Sequence, residues 1–454
     1  MEGMSVQREL IRKLPMPKRI EKLKRRVLDE PRFVSMEQAR LITESYKRHP
    51  CLPRNIQRAQ AIALSLRKMP LSIEPEELIV GNRTPGIRAG VVFPEAGIAW
   101  VEDELEELPH RPQDRFNVRS EDIRDFRKQI FPAWRGKGLR DAIENEIGSE
   151  IRKIAKVVKI NQKDHAQGHI CPSSVKWLRL GPAGIMREVR QKLSEETDEQ
   201  KKNFYEGVRL VLGASRDFMK RYGRLALEMA NSPEHKGHRD DLLEVSRICS
   251  KIADEPPDSF HEAVQSIWFL FVILQMESNA SSFSPGRMDQ FLYPYLKRDL
   301  ESGSITLEGA LEIIESLWLK FNQIVYLRNA ESARYFAGFP IGFNVALGGR
   351  TVDGEDASNL LSYLFLRAQA HVGLPQPNLS ARLHRNSPDS LLDECGRVIG
   401  LGSGMPQLFN DESVIPALRA QGIALSDAVN YAIVGCVFVP NRPVPDDVPF
   451  AVYL

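Results

Sequence analysis

The chain has 454 residues, of which 42% are hydrophobic and 27% are charged, and its formal net charge is +2. This composition is typical of a globular protein with a large core, and the length fits two or three domains or one large α/β barrel. The near-neutral charge argues against nucleic-acid binding, and no apolar run is long enough to span a membrane. Five scattered cysteines without a CxxC pair, and an N-terminus without an apolar h-region, favour a reducing, cytoplasmic location without a secretory signal.

The first half of the sequence predicts mostly helices. Ser35 is expected to cap a helix that has Glu37 in its first turn. The charged stretch 102–128 predicts a solvated surface. The expected elements are helices within 1–50, interrupted at Pro31, at Ile56–Met69, at 140–160 with Ile143, Ile147, Ile151 and Ile154 directed inward, and at 186–230, and a short buried strand at Leu78–Val80.

Strands and helices alternate through the second half, which predicts an α/β fold with parallel strands. The nearly all-apolar segment 260–275 predicts a core helix, and a polar loop over 277–289 follows it directly. The other expected elements are helices at 306–326, 358–369, 387–399 and 412–420, a strand at 343–349, an extended segment at 377–383, a short strand or turn at 405–410, and a strand or loop at 433–437.

Cys436 lies in an apolar stretch, Tyr431–Val437, directly after Gly435. Gly435 permits a tight turn or a close approach just before the sulfur. An apolar environment raises the pKa of a thiol and makes it a poor thiolate nucleophile. It suits the loss of a hydrogen atom instead, because a thiyl radical survives only where water and oxidants are excluded. A buried structural cysteine is the alternative interpretation of this stretch.

Common catalytic motifs are absent: the sequence has no GxGxxG, GxxxxGK[ST], HExxH or GxSxG. His165, His169 and Cys171 could lie together as metal ligands, but no second cluster completes a tetrahedral site, so no metal is expected. The serine-rich loop Ser281–Ser284 has two interpretations. It is either a nucleophile loop together with Asp289, or a loop whose hydroxyls satisfy its own backbone.

Several segments, read together and in order from about Lys24 to Val437, resemble the glycyl radical enzymes, the pyruvate formate-lyase-like superfamily. The matching segments are RAQA, KMPLSIEPEELIVGN, FPE, DSFHEAVQSIWF, QMESNASSFSPGRMDQFLYPY, FNVALGG, TVDGEDASNLLSYL, MPQLFNDE and NYAIVGCV.

The resemblance implies an α/β barrel of ten strands in two parallel five-stranded halves, with many helices outside. A loop carrying the cysteine reaches the barrel centre, and a second loop carrying a radical-storing glycine approaches it. Cys436 is then the catalytic thiyl residue, which takes a hydrogen atom from a small polar substrate. The closed barrel supplies the dry cavity that this chemistry needs.

The resemblance also implies a branch and a substrate pocket. Gly435 stands where pyruvate formate-lyase proper has a second cysteine, which disfavours acyl transfer and favours the dehydratase and C–X lyase branch. The pocket residues implied by the resemblance are His169, Ser281, Ser282, Phe339 and Phe343, each of which could also have no pocket role.

Two departures from the family pattern are expected to affect activity. The branch has a glutamate as general base two residues after the cysteine, and this sequence has Phe438 there, which can neither accept nor donate a proton. The resemblance ends at Val437, the tail 438–454 is irregular and proline-rich, and no glycine radical domain follows. We therefore expect 1–437 to be the N-terminal part of the barrel, truncated or frameshifted and inactive alone.

Three other interpretations remain open: a split enzyme that needs a separate glycine-loop chain, a pyruvate formate-lyase-type acyltransferase, and a non-enzymatic relic or binding scaffold. The chain itself is expected to bind no cofactor and to lack the glycyl radical. The partners implied by the resemblance are a radical-SAM activating enzyme, a glycine-loop chain and a second copy in a homodimer.

Overall fold

The computed structural model describes residues 2–155, 157–158, 167–336 and 341–435. Helices dominate this part of the chain and surround short parallel strands. The strands are β1 Phe33–Ser35, β2 Ala89–Val91, β3 Gln167–Ile170, β4 Ser281–Phe283, β5 Asn344–Gly348, β6 Asn378–Leu383 and β7 Gln407–Asn410.

The α-helices have a wide range of lengths, and π-helical turns at Phe126–Ile130 and Ile399–Ser403 and a 3₁₀ turn at Pro233–His238 adjoin some of them. The α-helices are α1 Glu2–Lys13, α2 Lys18–Asp29, α3 Glu37–Arg48, α4 Arg54–Lys68, α5 Pro94–Glu104, α6 Ser120–Asp125, α7 Phe131–Trp134, α8 Leu139–Glu146, α9 Ser149–Ile154, α10 Ser174–Glu195, α11 Glu199–Ala230, α12 Arg239–Ile252, α13 Phe260–Glu277, α14 Met288–Phe291, α15 Tyr293–Glu301, α16 Leu307–Gln323, α17 Ala330–Phe336, α18 Leu360–Val372, α19 Asp389–Val398, α20 Asp411–Ala420 and α21 Leu425–Val429. In the described residues, no helix combines the length and the apolar character needed to cross a bilayer.

Two parallel sheets, a two-stranded one of β3 and β4 and a three-stranded one in the order β5, β6, β7, together make one row of five strands. Strand β3 pairs with β4, and β5 pairs with β6 and β6 with β7, all in parallel. The two groups meet just after β4, where Gly286 bridges to Val345 and the Ala346 N–H donates to the Gly286 carbonyl at 2.8 Å. The parallel α/β arrangement predicted for the second half is therefore confirmed.

The two faces of this row differ in polarity because side chains alternate along each strand. Val345, Leu347 and Leu379 lie on one face and join the large apolar core with the surrounding helices. Asn344 and Asn378 lie on the other face, which is lined mainly by polar side chains. We call this second face the inner face.

Helix α13 is the core helix that the sequence predicts. Its residues from Phe260 to Met276 are buried, apart from His261. The helix begins with a reciprocal cap in which the Ser259 hydroxyl accepts from the Glu262 N–H and the Glu262 carboxylate accepts from the Ser259 N–H.

The predicted strand at Leu78–Val80 is wrong, since these residues form no strand. Val80 is buried and makes both of its backbone hydrogen bonds with one side chain of α13. Its N–H donates to Gln265 Oε1 and its carbonyl accepts from Gln265 Nε2, each at 2.8 Å. A glutamine side chain thus replaces the neighbouring strand that an apolar segment normally requires.

The single helix predicted over 140–160 is also wrong in the described residues. Gly148 is extended, with ψ 169°, and it separates α8 from α9. Because the stripe of isoleucines is interrupted there, Ile151 and Ile154 do not face the core and are 44% and 53% exposed.

Two smaller expectations near the N-terminus need correction. Ser35 lies in β1 opposite Val91, and Met36 occupies the N-cap position of α3, while the Ser35 hydroxyl bonds the Glu37 carboxylate. The stretch 102–128 is not wholly a solvated surface, because Phe116 and Phe126 are fully buried in a second apolar cluster.

Candidate functional site

Polar side chains line the inner face at the start of the strands. Asn344 of β5 lies opposite Asn378 of β6, and one step further along Ser380 lies between Ala346 and Gln407. Asn344 and Ser380 are fully buried. Because buried polar groups normally need hydrogen-bond partners, a polar inner face indicates that something polar is held against it.

The segment that leads to Cys436 lies on this face. The Gly435 N–H donates to Ser284 Oγ at 3.1 Å. The Gly435 carbonyl accepts from Asn344 Nδ2 at 3.0 Å and from Asn378 Nδ2 at 3.4 Å. Three side chains from three adjacent strands and strand ends therefore fix the last described residue before Cys436.

His169 and Ser282 approach the same glycine. A Cβ atom built on Gly435 would lie 2.8 Å from Nε2 of His169 and 2.9 Å from Oγ of Ser282. His169 and Ser282 themselves have positive φ angles, 64° and 66°. Such a backbone conformation is uncommon for residues with side chains and costs free energy, which the surrounding structure must offset.

The electrostatic environment around His169 favours neutral groups. Burial lowers the pKa of His169, so its imidazole is uncharged near pH 7 and can both donate and accept a hydrogen bond. Burial raises the pKa of the nearby Cys171 thiol to about 12, so this sulfur stays protonated. The arrangement therefore disfavours thiolate chemistry at Cys171 and suits proton exchange at His169.

The other predicted pocket residues are placed differently. Ser281 begins β4 beside Gln167 and is partly exposed. Phe343 is fully buried, and its ring centroid lies 4.7 Å from that of Phe321 and 5.9 Å from that of Phe271, on the core side of the sheet. The position of Phe343 thus gives no support to its predicted role in lining the cavity.

Cys436 and Phe339 lie outside the described residues, as does the predicted tail at 438–454. Their roles remain predictions. What the structure brings together is the residue before the cysteine, His169 and Ser282.

A buried ion pair holds the chain a few residues before Gly435. Arg382 donates from Nε to Asp411 Oδ1 at 3.0 Å and from Nη2 to Asp411 Oδ2 at 2.8 Å. The same guanidinium donates to the carbonyls of Tyr431 and Val429, each at 2.9 Å, and lies 3.8 Å from the centroid of the Tyr431 ring. The Tyr431 hydroxyl in turn donates to Asp411 at 2.7 Å. These contacts fix the course of the chain towards Gly435.

Asn344, Asn378 and Arg382 were not predicted as site residues from the sequence, and Ser284 was predicted only as part of the serine-rich loop. A signal was present, since Asn344 begins an otherwise apolar strand and Asn378 begins a strand in which polar and apolar residues alternate. Both side chains bind the carbonyl of Gly435, which lies 91 residues from Asn344 and 57 residues from Asn378. A local sequence pattern does not reveal a partner this distant.

Replacing Gly435 by alanine should destabilise the protein by about 1–2 kcal/mol or more, because the Cβ of alanine clashes with the backbone in the left-handed conformation. Gly435 has φ 64°, and the added methyl would also press on His169 and Ser282. Urea denaturation of the variant measures the effect. Gly396→Ala is the matched control, because a Cβ there, inside α19, meets no atom within 4 Å. Equal stability of the two variants would contradict the described geometry.

Comparison with known proteins places this geometry in a family context. The sequence matches the family described as pyruvate formate lyase-like over residues 14–442. It is 35% identical to the probable dehydratase YbiW of Escherichia coli, covering 89% of this chain and 51% of that protein. It is 32% identical to the (2S)-3-sulfopropanediol dehydratase of Klebsiella oxytoca, covering 93% of this chain and 53% of that protein.

Solved structures give the same result for the fold. The B12-independent glycerol dehydratase of Clostridium butyricum superposes with a TM-score of 0.90 at 35% identity, covering 94% of this chain and 55% of that one. A glycyl radical enzyme from Archaeoglobus fulgidus superposes with a TM-score of 0.86 at 32% identity, covering 93% and 55%. The predicted fold class, the α/β barrel of the glycyl radical enzymes, is confirmed. The chain spans about half the length of the relatives it matches.

Proposed function

This chain belongs to the pyruvate formate lyase-like family, and on that basis we propose that it is the cysteine-bearing, N-terminal part of a glycyl radical dehydratase or C–X lyase. Its substrate is a small polar molecule. Similar proteins carry names of this kind, among them a sulfopropanediol dehydratase, isethionate sulfite-lyases and a hydroxyproline dehydratase.

The observation that carries this proposal is the immobilised Gly435. Its N–H and its carbonyl are both bonded to buried side chains, so the peptide before Cys436 has little freedom. A thiyl sulfur must meet one substrate hydrogen in a defined direction and must be shielded from water, and both needs favour a rigid, buried attachment.

The proposed reaction begins with transfer of a hydrogen atom. The Cys436 thiyl takes hydrogen from a substrate carbon, which forms an S–H bond and leaves a carbon radical. The neighbouring carbon then loses its leaving group, and the product radical takes the hydrogen back from the thiol. A glycine outside this chain, activated by a radical-SAM enzyme, supplies the oxidising equivalent that generates the thiyl.

His169 is the residue we assign to proton transfer in this scheme. Its neutral imidazole lies at Gly435. For a diol substrate it would give a proton to the departing hydroxyl from one ring nitrogen and take the proton of the remaining hydroxyl at the other, so that water leaves and the ring stays neutral. Ser282, whose Oγ lies at the same glycine, would bind a substrate hydroxyl. Phe438 cannot serve as the general base, so His169 is the group on which proton transfer depends.

The split-enzyme form of this proposal determines how it is tested, since the chain spans about half of its relatives. The chain is co-produced without oxygen with the glycine-bearing half of a similar dehydratase and its activating enzyme. A glycyl electron paramagnetic resonance doublet and consumption of glycerol, 1,2-propanediol or isethionate are expected. The proposal fails if the two halves form a complex and carry the radical but consume none of these substrates, while the intact dehydratase does.

A further inference from the structure

A cavity of about 190 Å³ lies between the end of α2 and the segments that precede β5 and β6. Leu28 lines it on the side of the helix, and Ile341 and Gln376 line it on the side of the strands. This cavity has a distinct composition, because three arginines and one carboxylate line it: Arg32, Arg88, Arg328 and Asp114. We call it the arginine cavity.

Each of the three guanidinium groups is held in place by the surrounding chain. Arg88 donates from Nη1 to the carbonyls of Val27, Leu28 and Glu30 at 2.8–2.9 Å. It therefore neutralises the carboxyl-terminal end of α2, where carbonyl groups lack partners.

Arg32 is held by a carboxylate, and Arg328 is held by an aromatic ring. Arg32 donates from Nη1 to Asp114 Oδ1 at 2.5 Å, and Arg328 lies 4.7 Å from the centroid of the Tyr326 ring. Side chains that are already ordered lose little conformational entropy when they bind a ligand. The cavity is thus preorganised.

The charges that line the cavity do not balance. Three guanidinium groups face a single carboxylate, Asp114. Burial and the charge of Arg32 lower the pKa of Arg88, and the opposite charge of Glu30 only partly offsets them. Burial and Arg32 also lower the pKa of Arg328, against the opposite charge of Asp114. In addition, Nε of Arg32 is buried without a hydrogen-bond partner. Like charges this close repel each other, and an anion placed among them would relieve that repulsion.

We propose that the arginine cavity binds a small oxyanion of the carboxylate, sulfonate or phosphate class. Guanidinium groups bind these planar or tetrahedral oxygen arrays with paired, charge-assisted hydrogen bonds. The apolar part of the lining, Val27, Leu28, Ile324, Val325 and Leu374, favours an anion that carries a short carbon chain over an inorganic one.

The cavity is contiguous with the backbone that supports Ser282. The carbonyl of Ile341, which lines the cavity, accepts from the Ser282 N–H at 2.7 Å. Gln376, another lining residue, accepts from the Phe343 N–H at 2.7 Å. An anion in the cavity would therefore stiffen the segments on which Ser282 depends. This inference does not rest on the proposed radical chemistry.

Thermal unfolding of the 454-residue chain with added anions tests the proposal. Sodium propane-1-sulfonate, propionate and phosphate are compared with sodium chloride at equal ionic strength. We expect the organic anions to raise the melting temperature more than phosphate and chloride do, with saturation. A larger shift with phosphate than with either organic anion would assign the site to an inorganic ion and overturn the organic preference.

Variants locate the effect. Arg328→Gln and Arg32→Gln should each weaken anion binding about tenfold or more, since each removes a charge-assisted partner. Arg328→Lys keeps the positive charge and should weaken anion binding less than Arg328→Gln does. It replaces the glutamine variants in the test if they do not fold. Arg385→Gln is the control, because Arg385 is exposed and pairs with Glu412 on the surface. The proposal is overturned if no anion exceeds chloride, or if the control variant loses as much binding as the cavity variants.

Discussion

Replacing Arg382 by methionine should lower the free energy of unfolding by about 3–5 kcal/mol, because it leaves a buried carboxylate without its partner. Arg382 and Asp411 are both fully buried, and two hydrogen bonds join them. The carbonyls of Val429 and Tyr431 would lose a donor in the same variant. The segment that leads to Gly435 should therefore loosen as the protein becomes less stable.

Urea denaturation measures this effect, and two further variants make it specific. Arg385→Met removes an arginine whose side chain is 75% exposed, and it should cost less than about 1 kcal/mol. The double variant Arg382→Met with Asp411→Leu removes both charges and should be more stable than Arg382→Met alone. If Arg382→Met is as stable as the control Arg385→Met, the buried pair does not hold this segment.

Replacing Cys436 by serine should abolish substrate consumption by the reconstituted enzyme while the glycyl signal remains. Serine has nearly the shape of cysteine, but its O–H bond is stronger than the S–H bond. A glycyl radical therefore cannot draw hydrogen from serine at a useful rate. The measurement pairs substrate consumption with electron paramagnetic resonance on the same sample.

A matched cysteine variant controls for the general loss of a thiol. Cys249 is fully buried in α12, and burial raises the pKa of its thiol, yet it packs in the large apolar core rather than on the inner face. Cys249→Ser should keep substrate consumption per folded molecule. If Cys436→Ser consumes substrate as fast as the unchanged chain, the assignment of Cys436 as the thiyl residue is wrong.

The sequence by itself determined the elements that have a clear hydrophobic pattern and lie in apolar surroundings. Helix α13 is apolar on nearly every side, so it could only be a core helix, and β5 was recognisable as a mostly apolar segment that stops at a glycine pair. The segments of β6 and β7 were predicted only as extended and as a short strand or turn. The alternation of strand and helix was enough to predict parallel pairing, because a parallel connection needs a crossover element.

Only the tertiary structure decided which polar groups form hydrogen bonds with each other. Val80 looked like part of a strand because it is apolar and buried, but Gln265, 185 residues away, takes both of its backbone hydrogen bonds. The same holds for Asn344 and Asn378, whose amides bind the Gly435 carbonyl. A hydrogen bond depends on its direction and on a donor–acceptor distance within a few tenths of an ångström. Sequence patterns show the periodicity of apolar residues but do not show that geometry.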